Sequence, residues 1–350
     1  MKRMTKIVVT VVAVLAIAGV GTYEVLASSS PNPCKGTTLP HEEGKPTSTG
    51  GLPPLTAGTS GSADVAGGSI IHVVAGENFW GSLVTQLGGN RTVVLSIVTD
   101  PNSDPHEYEA NVSDAEAIAA AQFVIVNGVG YDDWALQLIA SADSSNQVVL
   151  NVGELNGVSD TGGIVTGNEH MWYNPVYVNR SVAAMYSILV SIQPSSRTYF
   201  QANYAALNVS LGQLYDRADA IRTAFAGTPV AATESIFVYL ANYTGLDLVS
   251  PPEFMKAIAE GNDPPTQSVV TFQCQLQTGN VPVLVYNLQT VSPITSSMKS
   301  IAVANNASVV GISETIQPPS VHGVNITFQD WMGSEYLALY DALNAKTLGE

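Results

Sequence analysis

The chain has few positive charges, few cysteines and few histidines, and each shortage excludes a class of function. Thirteen lysines and arginines stand against 29 acidic residues, which gives a net charge of −16 over 350 residues. Such a surface repels phosphate backbones, so nucleic-acid binding is excluded. The two cysteines, Cys34 near the start and Cys274 deep in the chain, are too few for a disulfide framework and are interpreted as non-catalytic. No HExxH motif occurs, so the helical zinc site of that class of protease is absent.

The N-terminus has the pattern of an export signal. Lys2, Arg3 and Lys6 precede an apolar run over residues 7–20, and the small-residue sequence VLA at 25–27 would suit cleavage. A retained membrane anchor is the alternative, because residues 7–27 are long enough to span a bilayer. Cys34 follows Asn and Pro, a context that disfavours lipid attachment. Either way, residues 1–27 predict an extracytoplasmic protein, secreted or anchored to the outer face of the membrane.

Residues 28–68 contain mainly Ser, Pro, Gly and Thr and predict a flexible stalk. The chain also carries seven Asn-x-Ser/Thr sequons, some of which would be glycosylated in an exported protein. They begin at Asn90, Asn111, Asn179, Asn208, Asn242, Asn306 and Asn325.

The rest of the chain alternates between short apolar runs and amphipathic helical segments, which predicts α/β architecture with parallel-type sheets. Residues 69–175 form the expected N-terminal α/β lobe, and residues 227–350 form the C-terminal one. Between them, residues 176–226 are helical and include a long strut helix over 199–225, about 40 Å long at 1.5 Å per residue. This organisation predicts two lobes joined by a rigid helix, with a cleft between them.

Two of the five histidines lie in short, acid-flanked, proline-marked segments. His106 belongs to DPHEYE at 104–109, and His170 belongs to EHMWYNP at 169–175. Imidazole is the commonest side chain that holds a transition metal, so these segments predict two ligands of one ion. His72 alternates with apolar residues inside the first strand and is interpreted as a core residue.

Glu234 and Glu314 each follow an apolar strand in the C-terminal lobe. Ligands of open α/β sheets bind at the carboxyl ends of strands, where these two carboxylates and His106 are expected. An isolated glutamate there is more often a helix-start residue favoured by the helix dipole. Two at matching places, together with His106 and His170, predict four ligands around one divalent ion in the cleft.

The motifs together resemble the cluster A-I solute-binding proteins, the metal-binding receptors of ABC importers for zinc, manganese and iron. The resemblance covers about residues 69–344 and rests on DPHEYE, on HMWYNP at 170–175, on TESIFVY at 233–239 followed by YTGL at 243–246, and on SETI at 313–316. It implies two α/β lobes bridged by a long helix, with His106, His170, Glu234 and Glu314 as metal ligands. It also implies a monomer that delivers its ion to a membrane permease.

Three departures from that family bear on which metal is carried. Glu234 stands where zinc receptors usually have a third histidine, Glu314 replaces the usual aspartate, and no histidine-rich loop lies between residues 110 and 150. Two imidazoles with two carboxylates leave manganese and zinc open, with ferrous iron behind them. Because histidine must be neutral to bind a metal, binding is expected to weaken as the pH falls through about 6.

Two other classes of function remain as alternatives. Histidine and carboxylate ligands also build metal-dependent hydrolases, but no residue stands in a motif typical of a general base, so we expect no enzyme. A surface adhesin with an incidental metal site would also use a stalk and sequons.

Overall fold

The computed structural model describes Cys34, Leu52 and residues 69–142, 146–159, 167–317, 320–321 and 324–348. The predicted signal or anchor over 1–27 and most of the stalk over 28–68 lie outside the described residues, as do His41 and His322. Within the described residues, no helix is both long enough and apolar enough to cross a membrane.

The N-terminal lobe is built on a four-stranded parallel sheet with strand order β2-β1-β3-β4. Its strands are β1 (Ile71–Glu77), β2 (Thr92–Val98), β3 (Phe123–Val126) and β4 (Val148–Asn151). The helices that connect and follow them are α1 (Asn78–Gly88), α2 (Val112–Ala120), α3 (Asp133–Ser141) and α4 (Val152–Asn156). All four residues of β3 are buried, as expected of an inner strand covered on both faces.

Two helices lead from the first lobe to the second, α5 (Pro175–Ile192) and α6 (Arg197–Phe225). Helix α6 has 29 residues, hence a length of about 43 Å. It contacts α1 and α5, which precede it in the sequence, and it also contacts two helices that follow it. This is the predicted strut.

The C-terminal lobe repeats the first arrangement, because its parallel sheet has the order β6-β5-β7-β8. The strands are β5 (Pro229–Ala232), β6 (Asp247–Leu248), β7 (Val283–Asn287) and β8 (Ser308–Ile312). A short antiparallel pair follows, β9 (Ser320–Val321) with β10 (Val324–Asn325). The helices of this lobe are α7 (Val238–Thr244), α8 (Pro252–Ala259), α9 (Thr266–Gln277), α10 (Pro293–Ala304) and α11 (Phe328–Leu348). The predicted α/β fold with two lobes and a long helix is confirmed.

The largest hydrophobic core is continuous across both lobes. Phe79 of α1 stacks at 4.2 Å between ring centroids on Trp172, and at 6.3 Å on Trp331 of α11. Both tryptophans are fully buried. Because aromatic rings contribute most to buried area, this cluster fixes the lobes against each other beneath the cleft.

One interpretation of a single residue requires correction, and one covalent bond was not predicted. His72 is exposed and is not part of the core, because its side chain lies on a face of β1 that is accessible to solvent at that position. The two cysteines are bonded: Cys34 of the predicted stalk forms a disulfide with Cys274 of α9 across 240 residues of sequence. The bond attaches the start of the stalk to the second lobe.

Candidate metal centre

His106 is held by a one-turn 3-10 helix, Pro105–Glu107, in the loop after β2. The Asp104 side chain accepts a hydrogen bond of 3.0 Å from the backbone N–H of His106 and so caps this turn. Proline is favoured at the first position because its fixed φ suits the turn and it lacks an N–H. The DPH sequence therefore fixes the backbone that carries the imidazole.

His170 is fully buried and begins a second 3-10 turn, Met171–Tyr173. Its Nδ1 lies 3.1 Å from Asn168 Oδ1, which also accepts the backbone N–H of His170 at 2.9 Å. Because an amide oxygen only accepts, Nδ1 carries a proton, and Nε2 is the nitrogen whose lone pair can bind an ion when the ring is neutral. The Asn168 amide in turn donates to the backbone oxygen of Ser235 in the other lobe at 2.8 Å.

Glu234 and Glu314 follow β5 and β8 and are fully buried. The structure brings all four predicted residues together across the cleft. Nε2 of His170 lies 3.5 Å from Glu234 Oε1 and 3.8 Å from Glu314 Oε2, and Nε2 of His106 lies 3.2 Å from Glu314 Oε2. Ligands bound at about 2.0–2.1 Å to one tetrahedral ion lie roughly 3.3 Å apart, close to these separations.

The Nε2 atoms of both histidines are buried and make no hydrogen bond of acceptable geometry, although carboxylate oxygens lie 3.2–3.8 Å from them. Buried polar atoms are nearly always paired, since an unpaired one loses the hydrogen bonds it made to water. Two such nitrogens facing two carboxylate oxygens match the coordination shell of a divalent cation.

The carboxylates dominate the electrostatics of this cluster. Burial alone would lower the pKa of His106, but Glu314 and Glu169 outweigh it and raise that pKa to about 10. Burial likewise opposes the charge of His170, and Glu234 with Glu169 raises its pKa to about 8. Burial raises the pKa of Glu234 to about 7 against the pull of His170. Burial would also raise the pKa of Glu314, but the two imidazoles hold it well below its usual range. The centre therefore favours positive charge.

Sequence reasoning missed several residues around the centre. Glu169 Oε1 lies 3.8 Å from His106 Nε2 and from His170 Nδ1, which makes it a further carboxylate at the partly exposed side of the cluster. One donor atom each from Glu169, the two histidines and Glu234 lie within 4.8 Å of one another. The sequence shows that both histidines have acidic neighbours, but it does not show which of these side chains point into the cluster.

Tyr131 and Asn287 were also missed, because nothing in their local sequence marks them. The Tyr131 hydroxyl donates to Glu314 Oε2 at 2.9 Å from the loop after β3. The Asn287 amide donates to Glu234 Oε2 at 2.8 Å and to Glu314 Oε1 at 2.7 Å. Both hold the carboxylates in place.

Behind the centre, a buried glutamate of α11 joins the segments that carry His170 and Glu314. Glu335 Oε1 accepts the backbone N–H of Ser313 at 2.9 Å, and Glu335 Oε2 lies 2.6 Å from the Tyr173 hydroxyl. That hydroxyl also lies 2.9 Å from the backbone oxygen of Ser313. Burial raises the pKa of Glu335 to about 8, against the hydrogen bonds from Tyr173 and Ser313. The Tyr173 hydroxyl has a single hydrogen, which it donates to Glu335 when that carboxyl is ionised. When Glu335 is protonated, the acid donates to the hydroxyl and the hydroxyl donates to the Ser313 oxygen.

A comparison with known families decides what kind of protein this is. The sequence profile of the family described as zinc-uptake complex component A, periplasmic (ZnuA), matches residues 73–342. This chain belongs to the ZnuA family. ZnuA-family proteins are solute-binding proteins of metal ABC transporters and not enzymes, in agreement with the resemblance found in the sequence motifs.

Relatives and solved structures within this family are distant in sequence. The metal ABC transporter substrate-binding lipoprotein FimA of Streptococcus parasanguinis is 23% identical over 249 residues, which cover 66% of this chain and 76% of FimA. The manganese-binding lipoprotein MntA of Halalkalibacterium halodurans is 25% identical over 148 residues, which cover 42% of this chain and only 48% of MntA. The periplasmic zinc-binding protein TroA of Treponema pallidum superposes with a TM-score of 0.65 at 15% identity, and covers 79% of this chain and 99% of TroA. The ZnuA fold is thus shared over nearly all of the two lobes.

Proposed function

We propose that this chain is the extracytoplasmic receptor of an ABC importer and captures one divalent transition-metal ion. Manganese and zinc are the favoured candidates, and ferrous iron is less favoured. His106, His170, Glu234 and Glu314 bind the ion between the lobes. The observation that carries the proposal is the pair of buried, unpartnered Nε2 atoms facing two carboxylate oxygens. The relatives, named for manganese or for metal in general, agree with a divalent ion as cargo and a membrane permease as partner.

The location outside the cytoplasm rests on two observations. The N-terminal residues have the pattern of an export signal, and the Cys34–Cys274 disulfide needs an oxidising compartment. The relatives FimA and MntA are named as lipoproteins. In this chain the Cys34 sulfur is bonded to Cys274 and is not available for a lipid, so the protein is secreted or is held by its apolar N-terminal segment.

Metal content and titration test the proposal directly. Protein purified without chelators should contain close to one zinc, manganese or iron atom per chain. Calorimetric titration of the stripped protein with zinc, manganese and ferrous salts should give a stoichiometry near one, and magnesium should not compete. A stripped protein that binds none of the three transition metals would refute the proposal.

The affinity for metal should begin to fall at a higher pH than the value of about 6 that the sequence predicts. The pKa values of about 10 for His106 and about 8 for His170 mean that both imidazoles hold protons at pH 7 in the metal-free protein. An ion must displace those protons, so apparent affinity rises with pH and falls by up to about two decades per pH unit below pH 8. Titrations at pH 7 in buffers of different ionisation enthalpy should register between two and three protons released per ion, because Glu234, with a pKa of about 7, is also partly protonated. An affinity that stays constant from pH 9 to pH 6 would contradict this expectation.

A further inference from the structure

Asn287 occupies the place in the second sheet that lies between the two carboxylates of the centre. It is the last residue of β7, and β7 lies between β5, which leads into Glu234, and β8, which leads into Glu314. Its side chain is fully buried. The strand order alone therefore brings one amide group within reach of both glutamates.

The orientation of this amide is fixed by the neighbouring backbone. Asn287 Oδ1 accepts the backbone N–H of Gln289 at 3.0 Å, so Nδ2 points the other way. Nδ2 then donates to Glu234 Oε2 and to Glu314 Oε1, at 2.8 and 2.7 Å, and it also lies 3.0 Å from the Thr290 hydroxyl, which shares the hydrogen directed at Glu314. The two hydrogens of a single NH₂ group thus connect two carboxylates that would otherwise repel each other.

A second hydrogen-bond donor uses the remaining lone pair of Glu314 Oε1. The Thr290 hydroxyl donates to this oxygen at 3.1 Å. Because a carboxylate oxygen has two lone pairs, the bonds from Asn287 and Thr290 use both of them. The distances from carboxylate to imidazole nitrogen, 3.5 Å for Glu234 and 3.2 Å for Glu314, involve the other oxygen of each residue.

We infer that Asn287, assisted by Thr290, restricts Glu234 and Glu314 to one metal-facing oxygen each and so favours an ion with four ligands over an ion with six. This inference rests on the proposed function and concerns the specificity of the same centre. Zinc is bound tetrahedrally by nitrogen and oxygen ligands, whereas manganese favours octahedral, oxygen-rich shells. Two imidazole nitrogens and one oxygen from each of two carboxylates complete a tetrahedral shell. The centre therefore fits zinc better than manganese.

The matched control is an asparagine at the equivalent place in the first sheet. Asn127 follows β3, which occupies in the order β2-β1-β3-β4 the position that β7 has in β6-β5-β7-β8. It is also fully buried, but its amide donates to the backbone oxygens of Gly128 and Glu169 and accepts from the indole of Trp80. It restrains none of the four ligand carboxylate oxygens.

The test is competition of zinc against manganese on three variants of the full chain. In Asn287→Ala, Glu234 Oε2 becomes free to bind the ion and Glu314 Oε1 keeps only the hydrogen bond from Thr290. The ratio of zinc affinity to manganese affinity should therefore fall about tenfold or more, the size typical of changes to residues that hold ligands. Thr290→Val frees one lone pair of Glu314 and should lower the ratio by less. In Asn127→Ala, the ratio should stay at the wild-type value, and any loss of affinity should be equal for the two metals.

X-ray absorption spectra supply a measurement that requires no variant. Zinc-loaded wild-type protein should show four nitrogen or oxygen ligands, and manganese-loaded Asn287→Ala should show more oxygen ligands than manganese-loaded wild type. Five or six ligands around zinc in the wild type would overturn the inference, and so would an unchanged affinity ratio in Asn287→Ala. If Asn287→Ala does not fold, Thr290→Val and the ligand count of the wild type decide. A wild-type chain that binds no metal would overturn the proposed function as well, whereas binding with an unchanged ratio overturns this inference alone.

Discussion

A variant with alanine at both His106 and His170 should bind zinc at least about a thousandfold more weakly than the wild-type chain. The two substitutions remove both proposed nitrogen ligands and leave only carboxylates, those of Glu234, Glu314 and the partly exposed Glu169. Loss of a residue that merely holds a ligand weakens binding about 10–100-fold, so loss of two ligands exceeds that range. Calorimetric titration of the stripped variant at pH 8 measures the effect.

The matched control for this variant is His72→Ala. His72 is exposed on β1, away from the cleft, so its replacement should leave both affinity and stoichiometry unchanged. Circular dichroism should show the same helix content in all three proteins. A double variant that still takes up one ion with wild-type affinity would show that the centre is elsewhere in the chain.

The second large effect concerns stability, and it involves Glu335. Burial raises the pKa of this carboxyl to about 8, above the ordinary value near 4.5 of the unfolded chain. A group whose pKa is raised on folding contributes its full stability below the unfolded value and loses it as the pH rises through the folded value. The loss is about 1.4 kcal/mol per pH unit, which amounts to about 4 kcal/mol between pH 5 and pH 8.

In Glu335→Gln this loss should be absent. The glutamine amide reproduces the protonated acid, because its NH₂ can donate to the Tyr173 hydroxyl while its oxygen accepts the Ser313 N–H. Urea unfolding of metal-free wild type and variant at pH 5, 6.5 and 8 should therefore give curves that converge at acid pH and separate at alkaline pH, with the variant more stable. Glu253→Gln, at an exposed position of the same lobe, should follow the wild type. Parallel curves for wild type and Glu335→Gln would show that Glu335 is not protonated in the folded protein.

Most of the fold could be predicted from the sequence because buried parallel strands are short apolar runs. The FVIV sequence of β3 and the VLVY sequence within β7 are unmistakable in this respect. The edge strand β6 is less clear, because it consists only of Asp247–Leu248 and one of these two residues is charged. His72 was misassigned for a related reason, since alternation along a strand does not reveal which face a helix covers.

The centre could be predicted in part, for reasons that differ between its residues. His106 and His170 are rare residues in marked contexts, so local sequence identifies them. Strand order and the packing of α11 bring three further residues to the centre, namely Asn287, Tyr131 and Glu335. The sequence around each of them does not show that it will lie there. Residues that hold ligands in place are thus harder to predict from sequence than the ligands.

The bond between Cys34 and Cys274 changes how far the receptor can move from its point of attachment. As a free chain, residues 28–68 could extend to about 140 Å, since one residue spans at most about 3.5 Å. The disulfide fixes the second lobe at residue 34, so only residues 28–34, with a reach of about 25 Å, separate α9 from the end of the apolar segment. In a chain held by that segment, the disulfide would limit the distance between α9 and the membrane to about this reach. Reduction of this one bond would restore the longer reach without altering the metal centre.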